Sequence, residues 1–147
     1  MKKVIGIIIG VLVIVAIAAG IIFATKNTNN TTVKPSNEVL VQYYDNYLTQ
    51  IAQSKDEDIY NNLLDESLRK KFTQEQISQM FAYLKGLGSV KEYNKNNVKI
   101  ETITENNKEI YVVSSKIVYE NAPQTIKIKL INRGNDLKII GFSFTNY

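Results

Sequence analysis

The hydrophobic positions divide the chain into an apolar run, a polar stretch and a body with periodic patterns. Residues 4–24 carry no charge, and at about 1.5 Å per helical residue this run spans the roughly 30 Å hydrocarbon core of a bilayer. Residues 26–35 are rich in Asn and Thr, which predicts a flexible linker. We therefore expect a transmembrane anchor over residues 1–25, this linker, and one domain over residues 36–147.

The apolar run is longer than the roughly 7–15 residues of a cleavable signal peptide, which favours a retained membrane helix. Cleavage is the alternative, but a cut after Ala18 leaves an apolar N-terminus and a cut after Ala24 places Ile22 at the upstream specificity position. Lys2 and Lys3 precede the run, so the positive-inside rule predicts a cytoplasmic N-terminus. The expected location is the cell membrane, single-pass, with the C-terminal domain outside.

Small residues recur at a spacing of four within the run, and this spacing lets membrane helices pack closely. Glycine and alanine are also common in membrane helices, which is the simpler explanation. The residues in question are Gly6, Gly10, Ala16 and Gly20.

Helical periodicity begins after the linker. Ser36 precedes an apolar stripe that predicts a first helix, and capping-box patterns at Ser54–Glu57 and Thr73–Gln76 predict the starts of a short second helix and a third. Gly88 predicts the end of the third helix. The stripe of the first helix comprises Leu40, Tyr44, Tyr47, Leu48 and Ile51.

After Gly88 the apolar period shortens to two, which predicts antiparallel strands joined by tight turns. Residues 89–93 are a short opening strand, and Asn106–Asn107 is a hairpin turn. The predicted fold class is α+β, with three helices packed on a curved antiparallel sheet of four to five strands. In the last strand Ile140, Phe142 and Phe144 are expected to share a face opposite Ile139.

The strand over residues 110–119 is apolar on both faces, so the side away from the helices needs a cover. One explanation is that a second copy or another protein covers Val112 and its neighbours. The other is that the aliphatic stems of Lys127 and Lys129 shield this face within the chain.

The formal net charge of +4 comes from the four lysines that precede residue 37, because the remaining fourteen basic residues balance the fourteen acidic ones. Composition therefore gives no argument for nucleic-acid binding. Residues 37–66 hold seven acidic residues and one basic residue, whereas residues 67–147 hold thirteen basic and seven acidic residues. This asymmetry indicates complementary surfaces within one domain, or a basic face for an anionic partner or lipid headgroups.

The chain has no histidine and no cysteine, and it lacks a phosphate-binding glycine loop and zinc-ligand spacing. The consecutive acids of Asp56–Asp58 suit the first turn of a helix better than a metal ion. No catalytic residue, metal or cofactor is predicted. Tyrosine is abundant, and tyrosine offers apolar bulk with a polar tip, either for a pocket or for an ordinary core. The residues expected to line a pocket are Tyr44, Tyr47, Phe81 and Tyr111.

The segment FTQEQISQMFAYLKGLGSVKEY, followed by consecutive hairpins to the end, resembles the NTF2-like superfamily with its cystatin-type cone. It is especially similar to small membrane-anchored extracytoplasmic bacterial domains with this layout. The resemblance covers residues 36–147 and implies a curved sheet that wraps the helices around a conical pocket. Catalytic members place Asp, His or Tyr in the cone, and no acid here matches those positions. A related branch is the VirB8-type subunit of secretion and conjugation channels, which carries one membrane helix before such a cone.

These observations favour a membrane-tethered extracytoplasmic module that binds another molecule or protein and has no evident catalytic site. A VirB8-like channel subunit and a pocket enzyme that uses Tyr and Asp or Glu are the alternatives. The expected partners are the lipid bilayer, through residues 4–24, and either a second copy as a homodimer or another membrane protein. Nucleic acid is not expected.

Overall fold

Apart from a 3₁₀ turn at Lys95–Asn97, the helices precede all strands in residues 33–146, which are the residues that the computed structural model describes. The predicted anchor and most of the linker lie outside this range. No helix among the described residues is long and apolar enough to cross a membrane. The helices are α1 (Asn37–Ala52), α2 (Asp56–Asp58), a π-helix (Ile59–Leu63), α3 (Glu66–Arg69) and α4 (Gln74–Gly86). The strands are β1 (Val90–Glu92), β2 (Lys99–Glu105), β3 (Lys108–Tyr119), β4 (Pro123–Arg133) and β5 (Asp136–Thr145).

The predicted signals at the ends of α1 and α4 are confirmed. The Ser36 side chain accepts a hydrogen bond from the backbone N–H of Val39 at 3.3 Å and caps α1. Thr73 and Gln76 form the predicted capping box at the start of α4. Gly88 follows α4 with a φ of +89°, a left-handed conformation that glycine adopts without steric cost.

The predicted second helix differs from the observed one. Ser54 does not cap it, because Ser54 has a φ of +56° and Lys55 stands at the cap position without a side-chain hydrogen bond. Only one turn of α-helix forms before the backbone widens into the π-helix, which buries Ile59 and Leu63. The described chain therefore has four α-helices and a π-helix where three helices were expected.

The sheet is antiparallel and has β3 at its centre. Strands β1 and β2 pair one after the other along the same side of β3, while β4 and then β5 follow on its other side. Asn106 and Asn107 have φ values of 51° and 61°, which confirms the predicted tight turn between β2 and β3. The segment after the π-helix joins the edge of β5, where Leu64 forms a parallel bridge with Ile139.

The predicted faces of β5 are wrong for Ile139 and Ile140 because the strand contains a bulge, whereas Phe142 and Phe144 share the core side as predicted. The pairs Leu130–Ile139 and Lys129–Gly141 leave Ile140 as an extra residue. The alternation of side chains therefore shifts by one position at this point. As a result Ile139 and Phe142 both enter the core.

The core lies between α1, the π-helix and α4 on one side and alternate residues of β3, β4 and β5 on the other. On the opposite face of the sheet, Ile110 and Val112 are only 2% and 7% exposed. Val112 lies directly opposite Lys129, whose ammonium group donates to Glu105 at 2.9 Å. The lysine stem thus crosses the apolar face at Val112, and Ile110 lies opposite Ile131, so both side chains are covered within the single chain.

Ion pairs join the acidic first part of the domain to its basic remainder. Asp56 lies 3.3 Å from Lys85, and Asp65 lies 3.0 Å from Arg133. These contacts support the interpretation of the charge asymmetry as complementary surfaces within one domain.

Candidate functional site

The four residues expected to line a pocket all belong to the hydrophobic core. The rings of Tyr47 and Phe81 contact edge to face, with their centroids 6.0 Å apart. The Tyr111 hydroxyl donates to Glu109 at 2.9 Å. The structure brings these side chains into one cluster with Tyr44, but none of them lines the groove described below.

Two buried tyrosines of α1 differ in their hydrogen bonding. The Tyr44 hydroxyl donates to the carbonyl of Ile126 at 2.8 Å, and Ser115 Oγ lies 2.9 Å from it. The Tyr47 hydroxyl has no hydrogen-bond partner among the described residues. Burial raises the pKa of Tyr47 well above its usual value, and burial also raises that of Tyr44 although Ser115 lowers it in part. Both phenols are therefore neutral at physiological pH.

A surface groove of about 530 Å³ lies where the chain enters the domain. Its walls are the first half of α1, the end of the π-helix and the β4–β5 hairpin. This volume is within the range of about 300–1,000 Å³ that is usual for ligand sites. The apolar lining consists of Val33, Pro35, Val39, Tyr43, Leu63 and Leu137, and the polar lining comprises Asn62, Asn132, Asn135, Asp136 and Lys138.

Hydrogen bonds between distant segments hold the groove together. The Asn132 side-chain amide donates to the carbonyl of Val33 at 3.1 Å. This bond connects the hairpin to the lead-in segment, which is residues 33–36 before α1. The Tyr43 hydroxyl donates to the carbonyl of Leu63 at 3.3 Å, and Lys138 donates to that of Asn62 at 2.6 Å. Each wall is therefore bonded to another.

An ion pair fixes the hairpin against the helical segment. Two nitrogens of Arg133 donate to the two carboxylate oxygens of Asp65, at 3.0 and 3.3 Å. Asp65 also caps α3 by accepting from Ser67, and its backbone N–H donates to Ile139 at 2.8 Å. Burial alone would raise the pKa of Asp65, but the hydrogen bonds from Arg133 and Ser67 outweigh burial and lower it.

The groove is lined by neutral hydrogen-bonding groups and by two charged side chains of opposite sign, Asp136 and Lys138. Burial, and after it the charge of Asp136, raise the pKa of Tyr43 well above its usual value, so this ring is a neutral wall. The side-chain amide oxygen of Asn132 is buried and accepts no hydrogen bond from the described residues.

The groove also carries exposed apolar side chains. Val33 is 78% exposed and Val39 is 45% exposed. The other large hydrophobic residue exposed in residues 33–146 is Val90, which pairs with Tyr119 at the opposite end of β3. Contiguous exposed apolar surface with a polar rim is typical of protein contact sites.

Other predicted features give no second site in the described range. Residues 33–146 contain no group of three or more acidic, histidine or cysteine side chains that could hold a metal ion. Asp56 pairs with Lys85. The expected packing residues of the membrane helix, Gly6, Gly10, Ala16 and Gly20, lie outside the described residues. Comparison with known protein families, curated proteins and solved structures finds no match to this chain.

Sequence reasoning missed the groove because its lining comes from three separate parts of the chain. Val39 is absent from the predicted stripe of α1, and the connection between the last two strands was expected only as one of the tight turns of the sheet. The Asn-rich composition of the hairpin and its neighbour Asn132 was the one available signal.

Proposed function

We propose that this protein is a membrane-tethered extracytoplasmic interaction module, built on an NTF2-like domain, whose partner binds in the groove between α1 and the β4–β5 hairpin. The observation that carries the proposal is the combination of exposed Val33 and Val39 with an asparagine-rich rim in one groove. The partner fitting this chemistry is an extended polypeptide segment. Its apolar side chains would cover the valines, and its backbone would bond to the asparagine amides.

The position of the groove restricts the source of that segment. Seven residues, 26–32, separate the end of the predicted anchor from Val33. Fully extended, they reach at most about 25 Å, since each residue spans about 3.3–3.6 Å. The groove, at the entrance of the domain, would then lie close to the bilayer surface. We expect the partner segment to be the part of another membrane protein that adjoins its own membrane helix.

A VirB8-like channel subunit is a special case of this proposal in which the partner is a channel component. The identity of the captured protein distinguishes it from other interaction modules. In a pocket enzyme that uses Tyr and Asp or Glu, by contrast, the bound molecule would be small and no protein would occupy the groove.

The test places a photo-crosslinking residue at Val39 of the full-length protein in its native membrane. The same residue at Val90 is the matched control, because Val90 has nearly equal exposure, 47% against 45%, at the opposite end of β3. We expect a discrete adduct at Val39 whose cross-linked peptide adjoins a membrane helix of the partner. The adduct should be lost when Leu137→Glu places a charge in the groove. The same adducts at both positions, or none at Val39, would argue against the groove.

A further inference from the structure

Strand β2 forms an open edge of the sheet in the described structure. It pairs with β3 and with no other described strand, and none of its seven residues is buried. Lys99 and Glu101 are exposed on the face of the sheet away from the helices. Thr102 and Thr104 alternate with them, so they belong to the face toward the helices, and they are exposed as well. Solvent therefore reaches this strand from both sides. Unpaired backbone groups on such an edge are a template for another strand.

The charges of β2 match those of a second copy in one register. When two copies pair antiparallel with Thr102 opposite Thr102, Lys99 of each copy lies opposite Glu105 of the other, and the whole strand is paired. A register centred on Glu101 places that carboxylate opposite itself. A register centred on Ile103 places Glu101 opposite Glu105. Like charges directly opposite each other are destabilising, so among the registers that pair at least five residues of the strand the charges select the one centred on Thr102.

The two groups that would form the new ion pair are suitably placed. Lys99 makes no salt bridge and no side-chain hydrogen bond within the described chain. Glu105 is held on the same face by Lys129, whose ammonium group contacts one of its carboxylate oxygens at 2.9 Å. The other oxygen is not used by Lys129 and can accept from Lys99 of a second copy.

We infer that two copies of this chain associate through their β2 strands, antiparallel and centred on Thr102, to form one continuous sheet. The twofold axis of such a pair is perpendicular to the sheet, so the helices of both copies lie on the same side. Val33 contacts Asn132, which is on the helix side, so both lead-in segments start from that side. This arrangement lets both copies enter one bilayer. That last point rests on the proposed membrane tether, whereas the pairing itself does not.

Disulfide formation tests the register, because the natural chain has no cysteine. Opposite residues in antiparallel strands have Cα atoms about 4.5–5.5 Å apart, within the range of about 4.4–6.8 Å that a disulfide bridges. Two copies of Thr102→Cys would therefore crosslink. Thr104→Cys is the matched control: it is equally exposed on the same strand, but the two Thr104 residues would lie about 13 Å apart along the strand direction.

The full-length variants are oxidised mildly in native membranes and separated without reduction. We expect Thr102→Cys to form the dimer roughly ten-fold faster or more than Thr104→Cys, because disulfide geometry is met only at the axis. Equal rates would mean collision without a fixed register. A fast reaction at Thr104 or none at Thr102 would overturn the proposed pairing.

Charge reversal then tests the ion pair in the Thr102→Cys background. Lys99→Glu should slow crosslinking, and the addition of Glu105→Lys should restore part of the rate. The matched control is Lys127→Glu. Lys99 on β2 pairs with Ser114 on β3, and Ser114 pairs in turn with Lys127 on β4, so Lys127 is an exposed lysine of the same row that lies away from the edge. Lys127→Glu should leave the rate unchanged. Equal slowing by Lys99→Glu and Lys127→Glu would refute a specific contact at the edge, and thermal melts confirm that each variant is folded.

Discussion

The hydroxyl groups of Tyr44 and Tyr47 provide a matched pair for testing the core. Both side chains are fully buried on the same face of α1, and Tyr→Phe removes only the oxygen. The Tyr44 hydroxyl makes the two hydrogen bonds at 2.8 and 2.9 Å, and the Tyr47 hydroxyl makes none within the described chain. The two substitutions are therefore expected to have different effects on the free energy of unfolding.

Tyr44→Phe removes the hydrogen bonds to two buried partners, Ile126 and Ser115, and such a loss costs about 1–3 kcal/mol. Tyr47→Phe removes a buried polar group that has no partner, so the free energy of unfolding should stay the same or rise by up to about 1 kcal/mol. In a domain near this size, about 1 kcal/mol moves Tm by roughly 4–6 °C.

Urea unfolding of residues 33–147 at pH 7, followed by circular dichroism, measures both changes. Ser115→Ala completes a double-mutant cycle with Tyr44→Phe and should show a coupling of about 1 kcal/mol, since the two groups are in direct contact. The reasoning is refuted if Tyr47→Phe destabilises the protein as much as Tyr44→Phe does.

Three further predictions concern the ion pair, a glycine and the N-terminus. Asp65→Asn should lower the free energy of unfolding by about 1–2 kcal/mol at neutral pH, a value reduced for the half-exposed Arg133. Because the pKa of Asp65 is lowered in the folded state, this stabilisation is fully present above the unfolded pKa of about 3.9 and is lost as the pH falls through the lower folded-state pKa. A difference that persists below both pKa values would contradict the assignment. Gly88→Ala should lower the free energy of unfolding by about 1–3 kcal/mol, because φ is +89° and the new Cβ would lie 2.8 Å from Cβ of Glu120. Gly86 has open space around it, so Gly86→Ala should stabilise α4 by about 0.5–1 kcal/mol. Equal melting temperatures for the two variants would exclude this explanation. Mass spectrometry of membrane-extracted protein should find a chain that starts at Met1 or Lys2, and a soluble species that starts near Lys26 would show that the anchor is cleaved.

The elements that could be predicted from sequence are those specified by local signals. The capping box at Thr73, the left-handed Gly88 and the turn at Asn106–Asn107 each depend on a few adjacent residues, and each is observed as expected. Ser54 shows the weakness of such signals, because its capping-box pattern is present but the structure gives it a left-handed conformation.

Features set by tertiary pairing could not be predicted. The bulge at Ile140 depends on how β5 aligns with β4. The apolar pattern of the strand does not by itself show whether Ile139 or Ile140 faces the core. The π-helix forms where the chain must bring Leu64 to the edge of β5. The groove joins residues 33–43 to residues 132–138, and no local pattern connects parts of the chain so far apart.

Recovery of a partner from membranes tests the central claim most directly. The full-length protein is purified in mild detergent as the wild type, as Val39→Glu and as Val90→Glu, and the protein identified by crosslinking at Val39 is quantified in each preparation. A buried charge without a partner costs several kcal/mol, so Val39→Glu should reduce recovery about ten-fold or more. Val90→Glu, at the opposite end of β3, should leave recovery unchanged. Equal recovery with Val39→Glu and the wild type would contradict binding in the groove.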